Sequence, residues 1–232
     1  MKEETKKYDI FLFDADGTLY DYDMAEANAL KMMFDYCGFN YSENIRIKYR
    51  EINSQVWESY EKGEIKKDEL QTLRFTRLFK DIGIYYNEYN FNEMYLKELG
   101  KGAYLINGAL DICKEIYLNN KKIYIVTNGI LATQESRIKH SLIKDYISDF
   151  FVSEFVGYNK PHKLYFEYVF SHIPQVRKNK ILIIGDSLKA DIAGGNIAGI
   201  DSCWFNRFGE INKTEILPTF EINNLNELKK YI

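Results

Sequence analysis

Long apolar runs are missing from this 232-residue chain, and no stretch approaches the ~20 residues that a membrane-spanning helix needs. A helical membrane protein is thereby excluded. Cysteine is scarce: Cys37, Cys113 and Cys203 cannot all pair within one chain, and their spacing contains no CxxC metal or redox signature. Reduced thiols are expected. The 3 histidines, His140, His162 and His172, have no metal-ligand spacing and are assigned to surface or helix-end positions. With only 3 prolines there is no Pro-rich linker, and no internal repeat or low-complexity tract is visible. Nor is there an excess of positive charge. Lys plus Arg number 31 against 34 Asp plus Glu, a net of −3, so nothing drives nonspecific binding to nucleic acid polymers. The opening MKEETKKYD has no apolar core behind its lysines, and a cytoplasmic protein is expected.

What is present is an ordinary globular composition, 46% hydrophobic and 28% charged. The length suits one large domain carrying an insertion better than two independent domains. The apolar run Ile10 to Phe13 meets an acidic, glycine-containing turn at Asp14 to Thr18, which predicts a buried strand ending in a polar loop. KKIYIVTNG, DFFVSEFVG and NKILIIGDS repeat the design, and DSCWF adds a shorter strand. Runs this continuous suit a parallel sheet covered on both faces. Helix-period segments at about 107–118, 131–142, 163–171 and 190–198 alternate with them, and an edge strand near 219–222 and a helix near 225–231 close the chain. Residues 23–100 break the rhythm: no convincing strand appears, and four helical patterns are separated at Gly38, Gly63 and Gly83. The expected division is an α/β core from 1–22 and 101–232, with a four-helix cap at 23–100.

Asp14 and Asp16 stand two apart at a strand end, where extended geometry sends both side chains to one side. Paired carboxylates there require a neutralising cation or a protonated member. Asp186 ends another strand, with Asp191 five positions on near a helix start. Taken singly these features have plainer readings: a capped acidic turn at Asp16-Gly17-Thr18, a helix cap at Asp191, an ordinary strand-to-helix turn at Thr127-Asn128-Gly129, and a solvated lysine at Lys160. Placed on adjacent parallel strands, Asp14, Asp16 and Asp186 reach one carboxyl edge, where open α/β sheets bind ligands. An all-oxygen cluster suits Mg²⁺, and the backbone amides of Asn128 and Gly129 could cradle an oxyanion.

The ordered set DADGT, TNG, KP and GDSxxxD, each beyond a predicted strand, resembles the haloacid dehalogenase superfamily of phosphohydrolases. That resemblance implies a Rossmann-like parallel α/β core with an inserted helical cap. It further implies Asp14 as the nucleophile, and Asp16 as acid for the leaving group and then base for water. Thr127, Asn128 and Lys160 match phosphate-binding positions. Asp14, Asp186 and the backbone carbonyl of Asp16 match ligands of Mg²⁺, with Asp191 a supporting acid or further ligand. The run NSQVWESYEKGEIKKDELQTLRF, the stretch SEFVGYNKPHKLYF and the run GDSLKADIAGGNIAGIDSCWFN are similar to the bacterial pyrimidine 5′-nucleotidase subfamily. The implied substrate is a small phosphate monoester, a nucleoside monophosphate, with Trp57, Tyr60, Arg74 and Phe75 as candidates to meet its base or sugar, although aromatic residues at helical spacing more often pack a core. A sugar-phosphate phosphatase, a phosphomutase and a noncatalytic phospho-ligand-binding module are the alternatives. Oligomeric state is open.

Overall fold

Ile10–Phe13 (β1) is unbroken apolar sequence because both of its faces are covered. Phe11 and Phe13 enter one core with Ile123, Ile125, Leu182 and Ile184, while Ile10 and Leu12 enter another with Tyr124, Val126, Ile181 and Ile183. A strand between two such layers has no solvent face on which to place polar residues. Lys122–Thr127 (β2) and Ile181–Gly185 (β4) flank β1, and Asp149–Val152 (β3), Asp201–Phe205 (β5) and Phe220–Ile222 (β6) extend the sheet in the order β3-β2-β1-β4-β5-β6. Every pairing is parallel. The chain is therefore α/β, as the runs imply. Phe13 stands opposite Ile125 on one side and Ile184 on the other, so the residues after β1 and β4 leave the same edge together.

This computed structural model describes residues 7–232; the opening residues 1–6, read above for a leader, lie outside them. Among the described residues no helix is long and apolar enough to cross a membrane. The chain divides into two compact units, one formed by the segment ending at Tyr22 with Ala103–Ile232, the other by Asp23–Gly102. In the first, Ala109–Leu118 (α5), Leu131–His140 (α6), Ser153–Val156 (α7), Lys163–His172 (α8) and Ala193–Ala198 (α9) accompany the strands. Two elements depart from the periodicity. The DFFVSEFVG run leaves the sheet after Val152: the amide of Gly157 donates to the carbonyl of Ser153 at 2.8 Å, closing a helical turn that leaves Phe155 exposed. The segment before α9 begins as a π-helical turn, Leu188–Ile192, capped by Ser187, whose hydroxyl accepts from the amide of Ala190 at 3.1 Å.

The second unit holds Tyr22–Tyr36 (α1) from Asp23 onward, Glu43–Glu61 (α2), Lys67–Ile82 (α3) and Glu88–Lys101 (α4). Ser42 and Asn87 cap α2 and α4 by accepting from the amides of Ile45 and Asn90. Its core is aromatic, with Phe75 in ring contact with Tyr49, Phe79, Phe91 and Tyr95. That packing places Arg74 and Phe75 on the core side of the two readings: both are buried, and the Arg74 guanidinium donates to Asn53 and Asn92 at 3.3 and 2.7 Å and faces the Phe75 and Tyr95 rings. They build the unit's interior. Trp57 and Tyr60 are half-buried and meet edge to face.

Candidate active site

The carboxyl edge gathers its polar groups from the ends of three neighbouring strands and one loop. Asp14 follows β1 and remains in the ladder, its amide donating to the carbonyl of Ile184 at 2.8 Å. Thr127 ends β2, and Asp186 follows β4, where the Trp204 indole N–H on β5 holds its backbone carbonyl at 2.9 Å. Lys160 lies in the loop between α7 and α8 and is only 3% exposed, which overturns the plainer reading of it as a solvated lysine. Its ammonium has three donors, and all three are used: Asp14 Oδ1, Asp191 Oδ1 and the carbonyl of Val126 each accept at 2.6 Å. Asp191 is turned toward it by the π-helical segment and also accepts from the amide of Ser187 at 3.1 Å.

The side chain of Asn128 holds the loop that carries Lys160. It brackets the backbone of Lys160, donating to its carbonyl at 3.0 Å and accepting from its amide at 2.8 Å. The Gly129 amide is likewise spent, on Thr127 Oγ1 at 3.0 Å. This leaves the buried Thr127 hydroxyl hydrogen available as a donor.

Asp14, Asp186 and Asp191 each place a carboxylate oxygen within 4.8 Å of the others. The side chain of Asp16 goes elsewhere, to α6, where Gln134 Nε2 donates to Oδ2 at 2.5 Å and Arg137 Nη1 pairs with Oδ1. Sequence reading missed Gln134 and Arg137. The available signal was polar residues at positions of α6 where a buried stripe falls: Thr133, Gln134 and Arg137 are all buried beside Ile138.

Three carboxylates around one ammonium leave negative charge in excess. Burial raises the Asp14 carboxyl well above the usual range, with Lys160 opposing and Asp191 and Asp186 adding to the rise. Asp186 reaches solvent at one side but is set deep in packed protein, and that desolvation, then repulsion from Asp191, pushes it up to about 7. Burial pulls Lys160 down, but Asp14 and Asp191 outweigh it and keep the ammonium charged above the ordinary lysine value. A cluster of this sign, built only from hard oxygen donors, fits a divalent cation such as Mg²⁺.

Comparison with known proteins bears on both fold and chemistry. YfnB of Bacillus subtilis, named only as a HAD-hydrolase, is 40% identical over 96% of this chain and 94% of its own length. A crystal structure of YfnB bound to magnesium superposes with a TM-score of 0.90, covering 96% of this chain and 97% of that one. The pyrimidine 5′-nucleotidase PynA of Streptococcus pneumoniae is 35% identical over 95% of this chain and 93% of its own length. The pyrimidine 5′-nucleotidase YjjG of Escherichia coli is 30% identical over 97% of this chain and 98% of its own length. Residues 11–205, which carry the strand ends that form the site, match the model of the haloacid dehalogenase-like hydrolases, and the chain belongs to that family.

Proposed function

We propose that this chain is a phosphomonoesterase acting on nucleoside 5′-monophosphates, with pyrimidines ahead of purines. The observation that carries the chemistry is the Lys160 ammonium bound at once to Asp14 and Asp191 at the carboxyl edge of β1 and β4. A phosphate monoester approaching an aspartate nucleophile brings like charges together, and a fixed cation beside that nucleophile offsets the repulsion. The preference for nucleotides is supported by the two near-full-length relatives named as pyrimidine 5′-nucleotidases.

In this reading Asp14 attacks phosphorus: a bond forms from its carboxylate oxygen as the bond to the ester oxygen breaks, and a proton from Asp16 goes to that leaving oxygen, releasing the nucleoside. Asp16 then takes a proton from water while the water oxygen bonds to phosphorus and the aspartyl bond breaks, releasing phosphate and restoring Asp14. Thr127 and Lys160 hold phosphoryl oxygens, Lys160 by turning one N–H donor from Asp14 to the phosphoryl group as Asp14 attacks, and Asn128 fixes the backbone from which Lys160 reaches in. Asp14, Asp186 and the carbonyl of Asp16 would hold Mg²⁺, with Asp191 orienting Lys160. Bound there, the ion would supply charge stabilisation for the transferring phosphoryl group. The helical unit acts as the cap that discriminates leaving groups, because residues that recognise only phosphate cannot.

Phosphate release with Mg²⁺ present, read as kcat/KM for matched pyrimidine and purine monophosphates beside several hexose phosphates, tests this. UMP, dUMP or dTMP should lead. A hexose phosphate ahead by tenfold, about 1.4 kcal/mol in transition-state stabilisation, would refute the nucleotide assignment; full turnover after verified removal of metal would refute the metal site.

A further inference from the structure

Asp16 is gripped from one side by two residues three apart on α6, a spacing that puts them next to one another on a helix surface. Arg137 is 0% exposed, and Asp16 is the only carboxylate it pairs with among the described residues. Its Nε and Nη2 have no hydrogen-bond partner, and its guanidinium faces the ring of Tyr20 at 5.5 Å. Gln134, also buried, spends its amide N–H on the other oxygen of the same carboxylate and leaves its own Oε1 without a partner. A helix that needed only to pack would carry apolar side chains here; instead two buried polar side chains leave donors and an acceptor unsatisfied, and the bond that each makes to a side chain is to Asp16. Gly129 belongs to the same arrangement. A Cβ at that position would stand 2.4 Å from Gln134 Nε2, so the glycine of the TNG turn clears the space through which the amide reaches Asp16.

We propose that Arg137 and Gln134 are positioning residues for the proton transfers of Asp16, and that Gly129 is required for Gln134 to serve. The inference rests on the phosphomonoesterase reading above. One donor on each oxygen fixes the plane of the carboxyl group and still leaves each oxygen a second lone pair. Proton exchange with the ester oxygen, and later with water, then proceeds from a fixed orientation rather than from a rotating side chain.

The test uses leaving groups of matched shape and different acidity. With phenyl phosphate, whose leaving group is the weaker acid, departure depends on a delivered proton far more than with p-nitrophenyl phosphate. Since kcat/KM reports steps up to the first irreversible one, it isolates protonation of the leaving group from the later attack of water. In Gln134→Leu and Arg137→Met the phenyl ester should lose at least tenfold more than the nitrophenyl ester, following the pattern of Asp16→Asn, and Arg137→Lys should recover part of the loss. Gly129→Ala should reproduce Gln134→Leu, and the double variant should be no worse than either. A merely structural role lowers both esters equally, and that result in folded Gln134→Leu and Gly129→Ala proteins would overturn the proposal even if Arg137→Met fails to fold. If Asp16→Asn itself shows no selective loss, the role given to Asp16 fails instead, and the two failures are told apart.

Discussion

Replacing Glu26 by Gln should stabilise the helical unit, and only at neutral to alkaline pH. Glu26 lies on α1, 1% exposed, with Arg46 Nε at 3.6 Å from Oε1 and no hydrogen bond to that oxygen. Burial pushes its carboxyl from an ordinary value near 4.5 up to about 7; Arg50 and Arg46 on α2 pull the other way, and Asp23 on its own helix adds to the rise. The folded state thus binds the proton more tightly than the unfolded chain. Its favourable contribution is complete below about pH 4.5 and is lost as pH rises through about 7. At about 1.4 kcal/mol per pKa unit the full span is about 3 kcal/mol, already net of the arginine attraction, and the amide N–H donors that Gln brings into a buried place reduce the gain to about 2 kcal/mol at pH 8. For a unit of this size that corresponds to a rise in melting temperature of about 10 °C. The two tryptophans, Trp57 and Trp204, fall in different units, so a Trp204→Phe background leaves Trp57 on α2 as sole reporter. Thermal unfolding followed by its fluorescence at pH 5 and pH 8 should show the two proteins nearly equal at the lower pH and separated at the higher. An offset independent of pH, or a Gln variant less stable at pH 8, would refute the reasoning.

Three further substitutions probe the carboxyl edge. Asp14→Asn should remain folded and lose phosphate release on every ester, measured by phosphate liberation beside circular dichroism; turnover at the parent rate would remove Asp14 as nucleophile. Lys160→Met leaves Asp14 and Asp191 without their shared cation, so it should lose about 3–5 kcal/mol in chemical denaturation without added metal, and added Mg²⁺ should recover part of it. In Gly185→Ala the new Cβ would stand 2.1 Å from Asp191 Cγ. The Asp191 carboxylate must then leave Lys160, at about 1–3 kcal/mol of stability with a fall in kcat exceeding tenfold, whereas an unchanged kcat would show that Asp191 does not need its present place.

The strands were legible because burial on both faces removes every polar residue from β1 and β4, and the polar residues that end each run mark the carboxyl edge. The inserted helices were legible from the glycine breaks and the apolar period, as with Phe75, Leu78 and Phe79 on α3. Local sequence could not show where a long side chain goes after leaving its backbone. Extended geometry points Asp16 with Asp14, but the turn that follows β1, closed by the Gly17 amide on the Tyr20 carbonyl at 2.9 Å, sends its carboxylate to Arg137 instead. Arg74 is a second case. Its place in a run similar to a nucleotidase cap leaves both a ligand contact and a core position open, and the tertiary positions of Asn53, Asn92 and the Phe75 and Tyr95 rings decide for the core. SEFV read as strand because its apolar content suits either state over four residues, and the return of the Gly157 amide to Ser153 decides it.

The order of the strands also governs how the chain can be built. β1 is made first and sits in the middle of the finished sheet, but both of its neighbours, β2 and β4, are encoded beyond the helical insertion. On a ribosome adding about 5–20 residues per second, IFLF has no strand to pair with until roughly a hundred more residues have been synthesised, a wait of several seconds or more. The helices of the second unit, whose partners are all close in sequence, can assemble during that wait, whereas the sheet cannot close around its first strand until β2 emerges. The most apolar segment near the start of the chain is thus the one left longest without a partner, and an arrest of synthesis within residues 23–121 would strand it uncovered.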